Sequence, residues 1–352
     1  MRHTHRRLLT KALPGSALLT ALVLFSACSS DDDSDDTDSG SEDDSTTQEV
    51  LEPSDFLSDA LAAEMTVEPC TLSGGTETEC YRITVVGAPV DHSVGPFCPR
   101  NLSDTEQDVG IWLDGSGQVY DLTGEFIRGL DDLYGGTYGD GAWLFYDEAS
   151  GAVNYTATQE ACEAAARPDV DEQYQNHCVE CLPEYYTDLE EMTFLIPIQP
   201  VPAASTVEIE FRGKVGVTLN GVELDPPAPV TEILGARTIA AFDDCGGHVN
   251  PAGGYHYHAA LGCSESVVQE DGHSGKFGYA MDGYAIYAQL DGEGVEPGDL
   301  DECRGHFDSV RGYHYHAASP GENMFLGCFR GETGSVDGED EGGPMGPPGA
   351  GG

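Results

Sequence analysis

Three imidazoles fall within eleven residues in the stretch Asp243-Asp244-Cys245-Gly246-Gly247-His248, followed by Tyr255-His256-Tyr257-His258-Ala259-Ala260. The pattern returns 58 residues later as Asp301-Glu302-Cys303-Arg304-Gly305-His306 and Tyr313-His314-Tyr315-His316-Ala317-Ala318, with 11 of 18 aligned positions identical and no gap. A repeat of this kind predicts two equivalent local structures, with pseudo-twofold symmetry as one arrangement. In an extended strand, residues two apart share a face, so His256 and His258 project one way and Tyr255 and Tyr257 the other. Their Cα atoms would lie about 6.6 Å apart, near enough for both rings to reach one ion at roughly 2.0–2.1 Å. His248 can return as a third ligand, and His306, His314 and His316 repeat the arrangement. The two halves either share one dinuclear site or form two. Six of the nine histidines beyond the first eleven residues lie in these copies, leaving His92, His177 and His273 outside them.

The chemistry that such a set supports is transition-metal binding. Imidazoles without free thiolates suit copper or zinc better than magnesium. With an open position, such an ion would activate water or mediate redox chemistry. Asp243 and Asp301 are candidates to orient an imidazole by accepting its second N–H, or simply to start a turn. Asp282, on an Asp-Gly turn between the copies, is the leading further carboxylate, with a turn acid bonding its own backbone as the equal alternative. No catalytic residue is identified, because nucleophile-triad, phosphate-loop and dinucleotide patterns are absent from the sequence. A competing reading makes the histidines structural and the protein a surface module that recognises a glycan or a protein through Tyr257, Tyr315 or Tyr284.

Positioning these loops falls to cysteines and strands. Eleven cysteines, one of them in a lipobox-like segment, leave an even ten for up to five disulfides in an oxidising compartment. Short spacing favours Cys70 with Cys80, Cys245 with Cys263, and Cys303 with Cys328. Cys178 and Cys181 read as two structural half-cystines rather than a redox pair. Strand signals at 81–86, 111–113, 142–146, 193–198, 207–211, 215–219 and 284–290 outnumber helix signals at 54–64 and 158–166. Asn220-Gly221 between two apolar runs predicts a tight hairpin. The expected fold is mainly β, antiparallel, with few short helices and long, disulfide-pinned, Gly-rich loops. Residues 51–330 are read as one globular unit, with a boundary near the Pro/Ala-rich 200–205 as the alternative.

The basic, then apolar, residues 1–27 read as a lipoprotein signal peptide, and Phe25-Ser26-Ala27-Cys28 places the lipid on Cys28. Ser29 is compatible with an outer-membrane or cell-surface destination in the bacterial envelope. Residues 28–50 read as an acidic disordered linker and 331–352 as a disordered Gly/Pro/acidic tail. Losing the leader takes four positive charges away, so the formal charge passes from −48 to −52. So acidic a chain repels phosphate, which excludes nucleic acid as a partner and leaves the lipid anchor as the only membrane contact.

The repeated motifs resemble those of the YHYH protein family of exported bacterial proteins. The segment 215–222 (VGVTLNGV) is similar to the family's strand and hairpin upstream of the motif. The segment 247–254 (GHVNPAGG) is similar to its glycine–histidine loop, and 278–287 (GYAMDGYAIY) to its GxxxDGxxIY stretch. The resemblance covers about residues 206–328, and 91–96 (DHSVGP) extends it upstream. It implies homology without implying a reaction.

Overall fold

The computed structural model describes residues 48–164, 170–186, 191–211, 213–251 and 253–337. The leader, Cys28, the acidic segment up to residue 47 and the tail from residue 338 lie outside the described residues. Among the described residues no helix is long and apolar enough to cross a membrane.

An eight-stranded sheet carries the repeated motifs. Its strands are β1 (Gly216–Thr218), β2 (Glu223–Leu224), β3 (Gly247–Asn250), β4 (Gly254–Tyr257), β5 (Lys276–Ala280), β6 (Ala285–Tyr287), β7 (Gly305–Asp308) and β8 (Gly312–His316). They lie in the order β3-β4-β2-β1-β5-β6-β8-β7. Each half is therefore a hairpin, a crossover and a second hairpin whose last strand runs parallel to the second strand of the first: β4 beside β2, β8 beside β6. The duplication that the histidine motifs reveal thus extends to a four-strand unit.

The halves meet at β1 and β5, which pair antiparallel with Gly216 opposite Ala280, Val217 opposite Tyr279 and Thr218 opposite Gly278. Aligning the hairpins puts Gly216 on Gly278 and Val217 on Tyr279, so the register is centred on a residue and its own counterpart. That is the signature of a local twofold axis. Both seam glycines are required by close approach: a Cβ on Gly216 would stand 2.1 Å from the Tyr279 carbonyl oxygen, and one on Gly278 2.6 Å from that of Val217. The turns match as well, Asn220-Gly221 in one hairpin and Asp282-Gly283 in the other, with both glycines at positive φ (90° and 86°).

Strands β1, β2, β5 and β6 are buried throughout, which explains their lack of polar alternation. Their core is continuous with that of a four-stranded antiparallel sheet made of Thr66–Thr71, Glu77–Val85, Met192–Pro197 and Ser335–Val336. A second core gathers Trp112, Phe145 and Phe242 with the helix Gly124–Tyr138, whose Ile127, Leu130 and Tyr134 face inward. The protein is mainly β, and five disulfides pin it: Cys70–Cys80, Cys245–Cys263 and Cys303–Cys328 as spacing suggested, with Cys98–Cys178 and Cys162–Cys181 in addition. Cys178 and Cys181 thus have separate partners.

Several expectations need correction. Residues 54–64 are not a helix beyond the short 3-10 turn Pro53–Asp55, because their backbone bonds elsewhere: Leu57 N–H to Leu219 O and Ala62 N–H to Thr84 O. Residues 142–146 hold only an isolated bridge from Tyr146 to Val153, and the strand expected at 207–211 lies at Pro202–Val207 instead. That strand pairs with Phe329–Gly331, so the proline-rich stretch carries sheet pairing. Contacts with the sheets reach past 51–330 at both ends. The Gln48 amide bonds the Tyr313 carbonyl at 2.9 Å, Glu49 accepts from Lys276 Nζ at 2.7 Å, and Ser335–Val336 joins a sheet.

Candidate metal centre

Pairing within each terminal hairpin does the positioning. His248 stands directly opposite His256 across β3 and β4, and His306 directly opposite His314 across β7 and β8. Directly opposed side chains share a face about 5 Å apart. The third imidazole comes from two residues further on the same face, His258 and His316. Alternation sends the tyrosines to the other side, where the Tyr255 and Tyr257 rings lie 5.5 Å apart and those of Tyr313 and Tyr315 5.3 Å apart.

In the first cluster the Nε2 atoms of His256 and His258 are 3.0 Å apart, and those of His258 and His248 3.2 Å. In the second, Nε2 of His306 lies 3.0 Å from that of His314 and 3.2 Å from that of His316. Four tetrahedral nitrogens bound to one ion at 2.0–2.1 Å would be roughly 3.3 Å apart, so both clusters have the size of a first coordination sphere. The two sets do not merge. Donor atoms within 4.8 Å of one another form one group from His248, His256 and His258 and a separate one from His306, His314, His316 and His273. They occupy opposite edges of the sheet, which answers the choice between one shared site and two in favour of two.

His273 is the residue that sequence reasoning left out. It lies in the loop before β5, and its Nε2 is 3.1 Å from that of His314. The other two histidines outside the motifs are elsewhere: His92 Nε2 meets the Tyr257 hydroxyl on the tyrosine face at 3.1 Å, and His177 Nδ1 bonds the Gln175 carbonyl at 2.7 Å.

Tautomers follow from the second ring nitrogens. In the second cluster every Nδ1 faces an acceptor: Asp299 Oδ1 at 2.8 Å from His306, and the carbonyls of Gly312 (3.1 Å), Ala288 (3.0 Å) and Ser274 (3.1 Å) from His314, His316 and His273. A carbonyl cannot donate, so Nδ1 carries the proton and Nε2 presents its lone pair. In the first cluster the same holds for His256, which bonds Gly254 O at 3.1 Å, and for His258, which bonds Pro226 O at 2.6 Å. Ligating histidines are normally held in this way by their second nitrogen.

Burial discourages a proton as the cation among these lone pairs. It pushes the His316 imidazole down to about 3 and His314 to about 4, and lowers His273. In the first cluster burial, reinforced by neighbouring imidazoles, holds His248 and His256 well below the usual range, and burial lowers His258. Aromatic rings form the walls: Phe242 against His248 and His258, and Tyr287 against His273 and His314. Acids and a lysine flank the first cluster. Asp225 Oδ2 lies 3.6 Å from His256 Nε2, and Lys214 Nζ bonds Asp225 at 2.8 Å and Glu223 at 2.9 Å. Although burial opposes it, these two carboxylates raise the Lys214 pKa and keep the ammonium charged.

Of the two roles open to Asp243 and Asp301, orienting an imidazole or starting a turn, their bonds are those of the turn, and Asp282 likewise bonds its own turn at the Tyr284 N–H. Asp243 accepts from the Tyr255 hydroxyl (2.8 Å) and from the N–H groups of Cys245 and Gly247; Asp301 accepts from Tyr313 (3.0 Å), Cys303 and Gly305. Asp282 accepts from Tyr315 at 2.6 Å and from the Gly331 N–H at 2.9 Å, while its counterpart Asn220 meets Tyr257 at 3.0 Å. These bonds hold the tyrosine face and the loops, and so fix the strands whose other face carries the imidazoles. Burial lifts the Asp282 carboxyl to about 6 despite its donors. Tyr315→Phe removes one donor from a fully buried carboxylate and is expected to cost about 1–3 kcal/mol in denaturant unfolding. Asp282→Asn, which copies Asn220, should cost less in the same assay.

Searches of curated proteins and of solved structures return no match. Residues 193–294 do match the sequence profile of the YHYH protein family, a segment that contains the first imidazole cluster, His273 and both β1–β2 and β5–β6, and that ends ahead of His306. The duplicated tyrosine–histidine unit thus belongs, in its first copy and the opening of its second, to a YHYH domain.

Proposed function

We propose that this protein binds transition-metal ions, copper or zinc, at two imidazole centres. The ligands are His248, His256 and His258 in one centre and His306, His314, His316 and His273 in the other. One observation carries the reading. Four Nε2 lone pairs converge in the second cluster, at 3.0–3.2 Å along the contacts that link them, while every Nδ1 proton is held outward by a carbonyl or carboxylate. Lone pairs at that distance repel unless a cation stands between them. A proton bridges two nitrogens at most, whereas one metal ion satisfies all four. Neutral imidazoles with no free thiolate nearby favour copper or zinc over harder ions.

In this reading the protein works in the bacterial envelope, tethered by a lipid on Cys28 and held off the bilayer by the acidic segment behind it. Its formal charge, −48 for the full sequence and −52 once the four basic residues of the leader are gone, concentrates cations near the surface and disfavours nucleic acid. The competing reading through tyrosine faces has little support: Tyr257, Tyr315 and Tyr284 are 2%, 0% and 5% exposed, so none offers a ring to a glycan.

Elemental analysis of protein purified without added metal tests the proposal. Two equivalents of copper or zinc per chain are expected, and His258→Ala combined with His316→Ala should remove at least one of them. Trace metal only in the wild-type protein, or an unchanged content in the double variant, would sink the reading.

A further inference from the structure

The two centres are built from the same unit, yet they differ where the unit has diverged. Aligning the hairpins, with Gly216 on Gly278, puts Phe211 at the position of His273 and Asp225 at that of Tyr287. Phe211 is 64% exposed, so the first centre receives no fourth imidazole from that loop. In the second centre the Tyr287 ring closes over His273 and His314, at 4.7 and 5.0 Å between centroids. In the first, the same place holds a carboxylate, Asp225, and no aromatic ring. Asp225 does not act as a fourth ligand to the full set. Its oxygen is grouped within 4.8 Å of His256 and Glu223 but not with His248 and His258 together. It stands to one side of the three converging nitrogens and is fixed there by the Lys214 ammonium at 2.8 Å.

We infer that the centres differ in kind: the four-imidazole centre is closed to outside ligands, and the three-imidazole centre keeps one position open for water or a small anion, beside Asp225 and Lys214. Four protein ligands are the habit of structural metal sites, and three plus an exchangeable ligand that of reactive ones. With an ion bound there, Asp225 would be the carboxylate beside the open position, and Lys214, paired with both Asp225 and Glu223, would hold it in place. His256 and His258 are 0% and 5% exposed and only His248 reaches partway to solvent, so the open position admits a small species and not a polymer. This inference rests on the metal reading above.

Cobalt(II) substitution with azide as the probe separates the two claims. The mature wild-type protein should take up two cobalt ions, and azide should shift the visible d–d bands of one of them. His248→Ala should bind one cobalt that is silent to azide. His273→Gln, which keeps the loop filled, should bind two ions that both respond. Far-ultraviolet circular dichroism identifies any variant that fails to fold, and the wild-type titration needs none. Azide shifting both sets of bands, or neither, overturns the inference while leaving metal binding intact. No cobalt uptake at all overturns both.

Discussion

Removing metal should cost the protein about 4 kcal/mol of stability per centre, taking free metal at a thousandfold excess over the dissociation constant. Chelator-treated and metal-loaded protein compared by urea unfolding at neutral pH would show this, and coincident curves would contradict two bound ions. Acid should act on the same groups. The unfolded chain's imidazoles take protons near 6.5, whereas burial holds His314 to about 4 and His316 to about 3 in the fold. Between those values the unfolded state binds more protons than the native one, so stability is full above pH 6.5, falls as the pH drops below 6.5, and levels off once the pH has passed through about 4 and 3. The sum over the buried imidazoles is on the order of several kcal/mol. Bound metal competes with those protons, so the loaded protein should hold its stability to lower pH and then lose it more steeply.

The second large effect concerns Cys98–Cys178, which joins residues 80 apart and ties the core around Trp112 to the parallel strand at His177–Val179. Replacing both cysteines by alanine releases the longest covalent loop, and chain entropy puts the loss at about 4–5 kcal/mol. The variant's midpoint in guanidinium should move accordingly. The same exchange at Cys70–Cys80, whose loop spans 10 residues, should move it less. Equal shifts would mean that native-state contacts, not loop length, set the contribution.

What the sequence disclosed depended on how local the cause was. The imidazole clusters were legible because strand alternation and one hairpin suffice to bring His248, His256 and His258 together. His273 was not, since its counterpart in the other copy is Phe211 and it reaches His314 only through tertiary folding. The same contrast governs the disulfides: three short loops were readable from spacing, while Cys98–Cys178 is decided by packing far along the chain. The helix Gly124–Tyr138 escaped notice because Gly129, Gly135 and Gly136 depress its propensity, although Thr123 caps it and Ile127, Leu130 and Tyr134 recur at helical spacing. Residues 54–64 erred the other way. Their composition favours a helix, but Phe56 and Ala60 are buried and the adjoining backbone bonds to strands outside the segment. The β1–β2 and β5–β6 hairpins hid their kinship because little beyond the paired glycines is shared, and because the offset between them differs by four residues from that of the histidine motifs.

The seam between β1 and β5 has the geometry of a self-complementary contact, in which each residue meets the partner's equivalent, as in a symmetric dimer. Two identical chains joined this way would be obliged to carry identical metal centres. Fusion into one polypeptide lifts that obligation. One lobe carries His273 where the other has Phe211, and Tyr287 where the other has Asp225, so under the proposed reading a single molecule would pair a fixed ion with an exchangeable one.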